Sequence, residues 1–472
     1  HDTVEIELKF ALPKLDRLAL EAWLSGLPVL ARRKPIHLQL NNVYYDTPEQ
    51  TLRRQKMALR VRQVGSSSQP QWVQTLKIAG PSESALSQRG EWESALSGSQ
   101  LDFNLLQDTP WRASDPDGLL FEALQPCFTT DFSRTCWTLL RRDGSSVEVA
   151  LDVGQISASG QSAPLCELEI ELLNGTPSAL FETARRIAQS VPLMPLSVSK
   201  AERGYRLAQG NLHAPVRARP TALAHGMDLT DIARQVLREM FLQFCANLNI
   251  LRDSDDPEVL HQARVGWRRF RSALKLFGKG VDLIALPQPT ALQPLLHAMA
   301  RLRDLDVVAS ETLPMLAGPY TAGDPIRQGQ WRTLVCALAD EAQVQRRAVH
   351  AALDDPAVGL TLLDMTRWLE TPWTLAGGGS SPGAVSASAW IRQRVAKLTD
   401  RLEASAGDAH DPLAQHRVRI LAKRVRYCIE AVRPLLPKRQ AQRGYRMAAE
   451  LQARLGSNRD VLQAIEIAAQ LR

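Results

Sequence analysis

Charged residues alternate with apolar ones in several short segments of the first half of the chain. Glu5, Glu7 and Lys9 are separated by Ile6 and Leu8. The same spacing recurs in later segments, at Arg60 and Arg62, at Arg89, Glu91 and Glu93, and at Glu167, Glu169 and Glu171. Successive side chains of a β-strand point to opposite faces, so residues two apart share one face. The pattern therefore predicts rows of carboxylates and rows of basic groups.

Such rows suit metal and phosphate chemistry. Like charges on one strand repel, and they repel more strongly when enclosed. A divalent cation relieves a row of carboxylates, because Mg²⁺ and Mn²⁺ favour oxygen ligands. Phosphate relieves a pair of arginines, because its oxygens match the guanidinium fork. A solvated charged face is the simpler interpretation of any single strand. The whole set fits better a closed antiparallel barrel whose charged lumen holds a metal and a polyphosphate.

The elements that must position these residues change in type along the chain. Period-two alternation predicts strands at 4–10, 58–62, 72–78, 89–93, 146–152 and 165–172. Two helices are predicted among them, at 15–24 and 178–189. From residue 228 the spacing becomes helical, at 231–249, 259–277, 334–353, 387–404, 413–432 and 445–455. The fold class is therefore α+β multidomain: a tunnel domain at 1–210, a linker at 211–227 and an all-α domain at 228–472.

Composition limits the class of protein. The chain has 472 residues, which is too long for one ordinary core, and its net charge is +7. By residue count the first 210 residues carry −2 and the remainder carries +9, so the basic half predicts a polyanionic partner. No apolar stretch predicts a membrane span, so a membrane partner is not expected. The six scattered cysteines favour neither disulfides nor a zinc ribbon and predict a cytoplasmic protein.

The helical half contains an internal repeat. An Asp-Pro pair precedes His261 and His416 by the same interval, and an Arg-Asp pair follows each histidine, 42 and 43 residues later. The repeat predicts two related halves, about 228–372 and 384–472. The glycine-rich segment 377–383 between them predicts a plain loop, because it lacks the lysine of a phosphate-binding loop.

Each histidine begins a basic stripe. At about 100° per residue, offsets of 0, 3, 7, 10 and 14 lie on one helix face. The two stripes comprise His261, Arg264, Arg268, Arg271 and Lys275, and His416, Arg419, Lys423 and Arg426. Side by side, two such helices would form a groove for an extended phosphate chain. A solvated basic face is the alternative, and a hydrogen-bonded structural role for each histidine is as well supported as phosphate contact. Trp267 and Phe270 fall on the far face, which makes nucleic acid the weaker partner.

The ordered motifs of the first half resemble the CYTH superfamily, also called triphosphate tunnel metalloenzymes. They are Glu5-Ile6-Glu7-Leu8-Lys9, Tyr45-Asp46-Thr47, Ala58–Arg62, Thr75-Leu76-Lys77, Arg89–Glu93, Ala150-Leu151-Asp152, Glu167–Glu171 and Ser199–Arg203. The second half resembles the CHAD domain, a helical family associated with polyphosphate binding. The order of the two is similar to that of bacterial CYTH–CHAD proteins, which include inorganic triphosphatases. The resemblance implies an eight-stranded antiparallel β-tunnel followed by a helical bundle.

The resemblance also implies residue roles. The triphosphate would be bound by Lys9, Arg60, Arg62, Lys77, Arg134, Lys200 and Arg203. Mg²⁺ or Mn²⁺ would be bound by Glu5, Glu7, Asp152, Glu167, Glu169 and Glu171. Glu5, Glu7, Lys9 and Lys200 are the implied catalytic residues, and the nine stripe residues would bind polyphosphate. The expected activity is metal-dependent hydrolysis of inorganic triphosphate. The alternatives are a nucleotide cyclase, a thiamine triphosphatase or a non-catalytic polyphosphate-binding adaptor.

Overall fold

The computed structural model describes residues 3–65, 68–80, 84–281, 283, 285–373 and 384–471. The chain forms two compact units. The first comprises His1–Ala214 and Asp354–Glu370, and the second comprises Pro215–Leu353 and Thr371–Arg472. The predicted loop at 377–383 lies outside the described residues. No described helix combines the length and the apolar character needed to cross a bilayer.

The first unit is built on a closed antiparallel barrel of eight strands with a short ninth strand. The strands are β1 Thr3–Ala11, β2 Ile36–Asp46, β3 Met57–Val64, β4 Gln71–Ala79, β5 Leu86–Leu96, β6 Gln125–Leu140, β7 Ser146–Ala158, β8 Gln161–Asn174 and β9 Met194–Pro195. Their order is β5-β4-β3-β2-β6-β7-β8-β1-β9, and the pairing of β1 with β5 closes the barrel. The predicted α+β architecture with an eight-stranded tunnel is confirmed. Strands β2 and β6 were not predicted.

Helices cover the outside of the barrel and one of its ends. They are α1 Arg17–Ser25, α2 Thr51–Arg54, α3 Trp111–Ser114, α4 Leu119–Glu122, α5 Ser178–Ala188 and α6 Lys200–Ala208. The apolar residues of β1, such as Leu8 and Phe10, are fully buried outside the barrel against residues of α1 and α5. The alternating residues Glu7 and Lys9 are also buried, on the inner face. Both faces of the strand are therefore enclosed, which makes the charged face a lumen and not a solvated surface.

Helix α6 closes one end of the lumen with apolar contacts. Tyr205 and Leu207 pack in one cluster with Leu40, Phe128 and Phe132, whose side chains face inward from β2 and β6. The fit is tight, because a Cβ on Gly204 would lie 2.2 Å from the Phe128 ring. The helix begins at Lys200, where the Ser199 side chain accepts the amide N–H of Glu202 as an N-cap. The turn that closes the barrel therefore also delivers the basic residues at the start of α6.

One helix of the first unit comes from the second half of the chain. Helix α12, Pro356–Glu370, packs against α5 and β9. Leu363 joins the outer core of the barrel, Asp364 lies 3.4 Å from Arg185, and Arg367 donates to the Ser178 hydroxyl at 3.1 Å. Flanking residues on both sides belong to the second unit, so the chain enters the first unit twice.

The second unit is entirely helical among the residues that the structure describes. Its helices are α7 Leu229–Leu251, α8 Pro257–Phe277, α9 Gln293–Val307, α10 Leu313–Thr321, α11 Pro325–Leu353, α13 Ala384–Gly407, α14 Pro412–Val432 and α15 Lys438–Gln470. The repeat has a local cause: Asp256 and Asp411 are N-caps, each followed by proline at the first helical position, where no amide N–H is needed. The two histidine stripes therefore start at equivalent turns of α8 and α14.

We expect Gly359→Ala to destabilise the first unit. A Cβ at Gly359 would lie 2.3 Å from the carbonyl oxygen of Leu193, so α12 would have to move off the barrel. Overpacking of this kind costs about 1–3 kcal/mol. Calorimetry should show the melting temperature of one transition lowered by several degrees.

Gly329→Ala in α11 is the matched control, because a Cβ there meets nothing within 4 Å. Alanine in an exposed helix favours the folded state by about 0.5–1 kcal/mol. Equal melting curves for the two variants would show that α12 does not pack as described.

Candidate active site and basic helix stripes

A cavity of about 230 Å³ lies inside the barrel and is lined mostly by charged side chains. The basic groups around it are Lys9, Arg60, Arg62, Lys77, Arg89, Arg134 and Lys200, and the acidic groups are Glu5, Glu91, Glu93, Glu169 and Glu171. All but four of the predicted tunnel residues line it. Glu7, Asp152, Glu167 and Arg203 do not, but each contacts a charged residue of the tunnel set.

Strand register explains why these groups meet. Lys9 of β1 lies opposite Glu169 of β8, and Asp152 of β7 lies between Arg134 of β6 and Glu167 of β8. Residues directly opposite on paired strands point to the same face. The inward-facing side chains of these paired strands therefore place opposite charges side by side.

Three carboxylates converge on one point of the lumen. One ligand oxygen of each of Asp152, Glu167 and Glu169 lies within 4.8 Å of the others, and Asp152 and Glu167 are fully buried. Lys200 Nζ lies 2.8 Å from Asp152 and 2.7 Å from Glu169, and it also contacts Glu167. The carboxylates thus already surround a cation. An all-oxygen donor set of this kind fits Mg²⁺ or Mn²⁺.

The charge cluster shifts the pKa values of Lys200 and Glu169 in the direction of the ionised forms. Burial opposes the charge on Lys200, but Asp152, Glu167 and Glu169 outweigh burial and raise its pKa. Burial likewise opposes the charge on Glu169, but Lys200 and Arg134 outweigh it and hold the pKa of Glu169 well below its usual value. Arg134 donates to Asp152 through two nitrogens, both at 2.7 Å. Lys200 and Glu169 are therefore ionised at neutral pH.

The other three predicted metal ligands lie apart from this cluster. Glu5 is 2.8 Å from Lys77 and 3.2 Å from Arg89, and Glu7 also contacts Arg89. Burial is outweighed by Lys77 and Arg89, which lower the pKa of Glu5 to about 2. Glu171 has no ion pair among the described residues, and burial together with Glu5 raises its pKa to about 7. The structure therefore divides the six predicted carboxylates into two groups of three.

The basic stripes of α8 and α14 lie next to each other in the second unit. Burial and the charges of Arg268, Arg419, Arg264 and Arg426 lower the pKa of Lys423 to about 7. Two of these arginines come from α8 and two from α14, the helix that carries Lys423. The inner members of the two stripes are therefore close neighbours, whereas Arg271 and Lys275 of α8 are exposed.

The Arg-Asp pairs contact the stripes and other acids. Arg459 donates to His416 Nδ1 at 3.1 Å, and Asp460 lies 3.9 Å from Arg419. Arg303 lies 3.7 Å from Glu311. Burial and the charge of Arg303 lower the pKa of His261 to about 4. Arg303 and Asp460 thus form salt links with residues outside their own Arg-Asp pairs.

Both halves of the chain match known domain families. Residues 3–205 match the CYTH domain, and residues 235–469 match the CHAD domain. The chain joins a CYTH domain to a CHAD domain. Helix α12 falls inside the CHAD match and yet packs on the CYTH barrel. The segment that matches the CHAD domain thus includes one helix, α12, that belongs to the unit built on the CYTH barrel.

One curated protein is similar in sequence to part of this chain. The inorganic triphosphatase of Haemophilus influenzae is 35% identical over 208 residues, which is 43% of this chain and 54% of the relative. The chain thus spans about half the length of that relative.

Solved structures are similar to each half. A plant CHAD domain from Ricinus communis is 28% identical with a TM-score of 0.44, covering 55% of this chain and 85% of that one. A Hippeastrum protein described as a candidate adenylyl cyclase with dominant triphosphatase activity is 19% identical with a TM-score of 0.33, covering 43% and 95%. At these TM-scores the two structures carry no argument about the activity of this chain.

Sequence reasoning missed the uncharged lining of the CYTH cavity. Tyr44, Ala58, Thr75, Ser199 and Ala201 line it alongside the predicted charges. Their signal was positional: Ala58 shares a face with Arg60 and Arg62, and Thr75 shares one with Lys77. Only Tyr44 among the five carries a large polar side chain that is almost fully buried.

We expect Lys200→Met to destabilise the CYTH domain and to make its stability depend on divalent cations. Removing the ammonium leaves three buried carboxylates without their shared partner, and breaking a buried pair costs about 3–5 kcal/mol. Mg²⁺ or Mn²⁺ binding to these carboxylates should restore stability by mass action. Thermal melts with and without each metal measure both effects.

Arg206→Met is the control on the same helix, because Arg206 pairs with Glu202 at 3.0 Å outside the lumen. It should lower the melting temperature only slightly. A metal-independent melting temperature for Lys200→Met would contradict a cation site at Asp152, Glu167 and Glu169.

Proposed function

We propose that the CYTH domain hydrolyses inorganic triphosphate to pyrophosphate and phosphate with Mg²⁺ or Mn²⁺. The observation that carries this proposal is the 230 Å³ cavity, whose lining combines a ring of basic groups with a three-carboxylate cluster at its edge. The lining offers many donors for phosphate oxygens and few apolar surfaces for a base or a thiazole. The triphosphatase relative supports the same substrate.

The residues of the chain would divide the work between metal and anion. Asp152, Glu167 and Glu169 would hold the metal, which when bound supplies positive charge to the phosphate oxygens and acidifies water. Arg60, Arg62, Lys77, Arg134 and Lys9 would neutralise and align the triphosphate, the main task of a protein in phosphoryl transfer. Water attacks the terminal phosphorus, the bond to the bridging oxygen breaks, and pyrophosphate leaves with the electron pair.

Lys200 has a second task in this proposal. In the structure its ammonium lies among the carboxylates that would bind the metal. A metal held by those carboxylates would balance their charge and leave Lys200 available to a phosphate oxygen, since the residue also lines the cavity. The ion pairs between Lys200 and the carboxylates would thereby be replaced by carboxylate–metal and lysine–phosphate contacts, so that no buried charge is left without a partner.

The direct test is phosphate release from tripolyphosphate, pyrophosphate, long-chain polyphosphate and ATP, with and without each metal. We expect tripolyphosphate to be hydrolysed much faster than ATP, and only with a divalent cation. Cyclic AMP formed from ATP would instead indicate a cyclase, and faster hydrolysis of thiamine triphosphate would indicate that activity. Absence of any turnover would favour the adaptor.

Asp152→Asn should lower kcat/KM by at least about a hundredfold, because an amide oxygen is a poor replacement for a carboxylate in the metal site. Asp131→Asn is the matched control on β6: Asp131 is exposed outside the lumen, where it accepts from Gln39 at 2.6 Å. Equal activities of the two variants would refute the metal role of Asp152.

We also propose that the CHAD domain binds polyphosphate across the stripes of α8 and α14. The inner residues of the two stripes lie close together. Besides burial, Arg268 lowers the pKa values of Arg264 and Arg419. Burial and four arginines lower the pKa of Lys423: Arg268, Arg419, Arg264 and Arg426. A bound polyanion would relieve this repulsion, which is the electrostatic gain that drives such binding. The exposed Arg271 and Lys275 would extend the stripe along α8.

This proposal predicts a pH dependence of binding. Lys423 has a pKa of about 7 in the free protein, and a bound polyanion favours the protonated form. Proton uptake therefore accompanies binding, and affinity should rise by roughly tenfold as pH falls from 8.5 to 6. Titration calorimetry in buffers of different ionisation enthalpy measures both quantities. A long chain is used because its internal phosphates do not titrate in this range.

Lys423→Met should bind more weakly at pH 6 and lose most of the pH dependence. Lys397→Met is the control, since Lys397 is exposed on α13 and has no ion pair among the described residues. A pH dependence that survives in Lys423→Met would contradict the role given to Lys423.

A further inference from the structure

Two arginines of the lumen, Arg60 and Arg62, differ in their partners from most of its other cations; Lys9, whose ion pair with Glu7 is 3.9 Å long, is the exception. Lys77, Arg89, Arg134 and Lys200 each have a carboxylate oxygen within 3.2 Å. Arg62 has no carboxylate partner among the described residues, and the nearest one to Arg60 is Glu91 at 3.8 Å. Burial and the charges of Arg60 and Arg134 lower the pKa of Arg62 to about 9. On strand β3, Arg62 thus has no carboxylate partner among the described residues, and Arg60 has only the longer ion pair with Glu91.

Neutral groups of the neighbouring strand β2 hold these arginines. Asn42 accepts Arg62 Nε–H through Oδ1 at 2.8 Å, and its amide nitrogen donates to the Thr130 hydroxyl at 3.0 Å. The first bond fixes which end of the buried amide faces Arg62, because Nε–H of an arginine can only donate and therefore requires the amide oxygen. Only Nε of Arg62 is used among the described residues, so the two terminal nitrogens keep their N–H groups for an anion.

Tyr44 is placed in the same way beside Arg60. Arg60 donates to the Tyr44 hydroxyl oxygen at 3.4 Å, and no described residue accepts the hydroxyl proton. Tyr44 is 5% exposed and lines the cavity, so this proton is available to an acceptor in the space where the substrate would lie. Burial raises the pKa of the phenol, but Arg60, Arg62 and Lys200 outweigh it and lower the pKa, which makes the hydroxyl a better donor.

The aromatic ring of Tyr44 is fixed by packing. It stacks on Phe128 with centroids 4.7 Å apart, and Phe128 meets Tyr205 edge-on at 5.0 Å. Tyr205 in turn donates to Asp46 at 2.6 Å. The hydroxyl is thereby held at a defined place in the cavity, on a support that removal of the oxygen alone would leave intact.

We propose that Asn42 and Tyr44 complete the phosphate seat of β3: Asn42 is a positioning residue that aims the terminal nitrogens of Arg62, and Tyr44 donates a hydrogen bond to a phosphate oxygen held by Arg60. This inference rests on the proposed function and identifies two uncharged residues of its substrate site. A carboxylate at position 42 would cancel the charge that the substrate needs. The neutrality of Asn42 is therefore the functional property.

Asn42→Asp tests the positioning role without changing shape. The new carboxylate would pair with Arg62, while Thr130 donates to it in place of accepting. We expect KM for tripolyphosphate to rise by roughly tenfold or more, with kcat changed less than about threefold. Gln63→Glu is the control: it adds the same charge one residue from Arg62, on the outward face of β3. An unchanged KM, or a fall in kcat alone, would overturn the role of Asn42.

Tyr44→Phe tests the hydroxyl and keeps the ring on Phe128. The expected result is again a higher KM, by roughly tenfold, with a melting temperature close to that of the unaltered protein. Tyr45→Phe is the control, because Tyr45 lies opposite the outward-facing Leu59. A KM equal to that of the control would overturn the role of Tyr44.

A binding measurement separates this inference from the proposed function. The rise in melting temperature caused by tripolyphosphate is recorded for all four variants and the unaltered protein. If the unaltered protein is stabilised by tripolyphosphate but hydrolyses none, the proposed activity fails, and a smaller stabilisation of Asn42→Asp and Tyr44→Phe than of their controls still supports the seat. Equal stabilisation of variants and controls overturns the seat whatever the activity.

Discussion

The enclosure of opposite charges in one barrel is the constraint on which the tunnel depends. Burial alone would drive carboxylates and amines of this kind to their neutral forms. Lys200 of α6 and Glu169 of β8 remain ionised because opposite charges lie beside them: three carboxylates surround Lys200, and Lys200 and Arg134 lie beside Glu169. Such a network is stable as a whole and costly to break at one member. It also holds ready a set of ligands for a metal and for phosphate.

The surrounding fold serves this network. Apolar residues on the outer faces of the strands bury themselves under α1, α5 and α12, which leaves the inner faces free to be polar. Helix α6 closes one end with Tyr205 and Leu207 and brings Lys200 and Arg203 to the carboxylates. Stability and the candidate chemistry therefore share the same short helix. The CHAD stripes are less balanced: Arg419 and Arg426 have acidic partners, but Lys423 is surrounded by arginines.

Sequence alone predicted the parts of this arrangement that carry charge or strong periodicity. The barrel and the charged lining followed from alternation such as that at Glu5–Lys9, and the helical half followed from the helical spacing after residue 228. Strand β2 was missed because its inward residues, Asn42 and Tyr44, are uncharged and resemble any polar strand. The place of α12 could not be predicted, because a helical pattern does not state which core buries its apolar face. The split of the six carboxylates into two groups depends on strand register across β1, β7 and β8.

The central claim is that the lumen exchanges its internal ion pairs for metal and triphosphate. A crystal structure with Mn²⁺ and tripolyphosphate tests it most directly, because manganese is located by its anomalous scattering. The account predicts a manganese peak among Asp152, Glu167 and Glu169, with Lys200 Nζ moved from these carboxylates to a phosphate oxygen. Manganese bound elsewhere, with Lys200 still among the three carboxylates and tripolyphosphate outside the barrel, would contradict it.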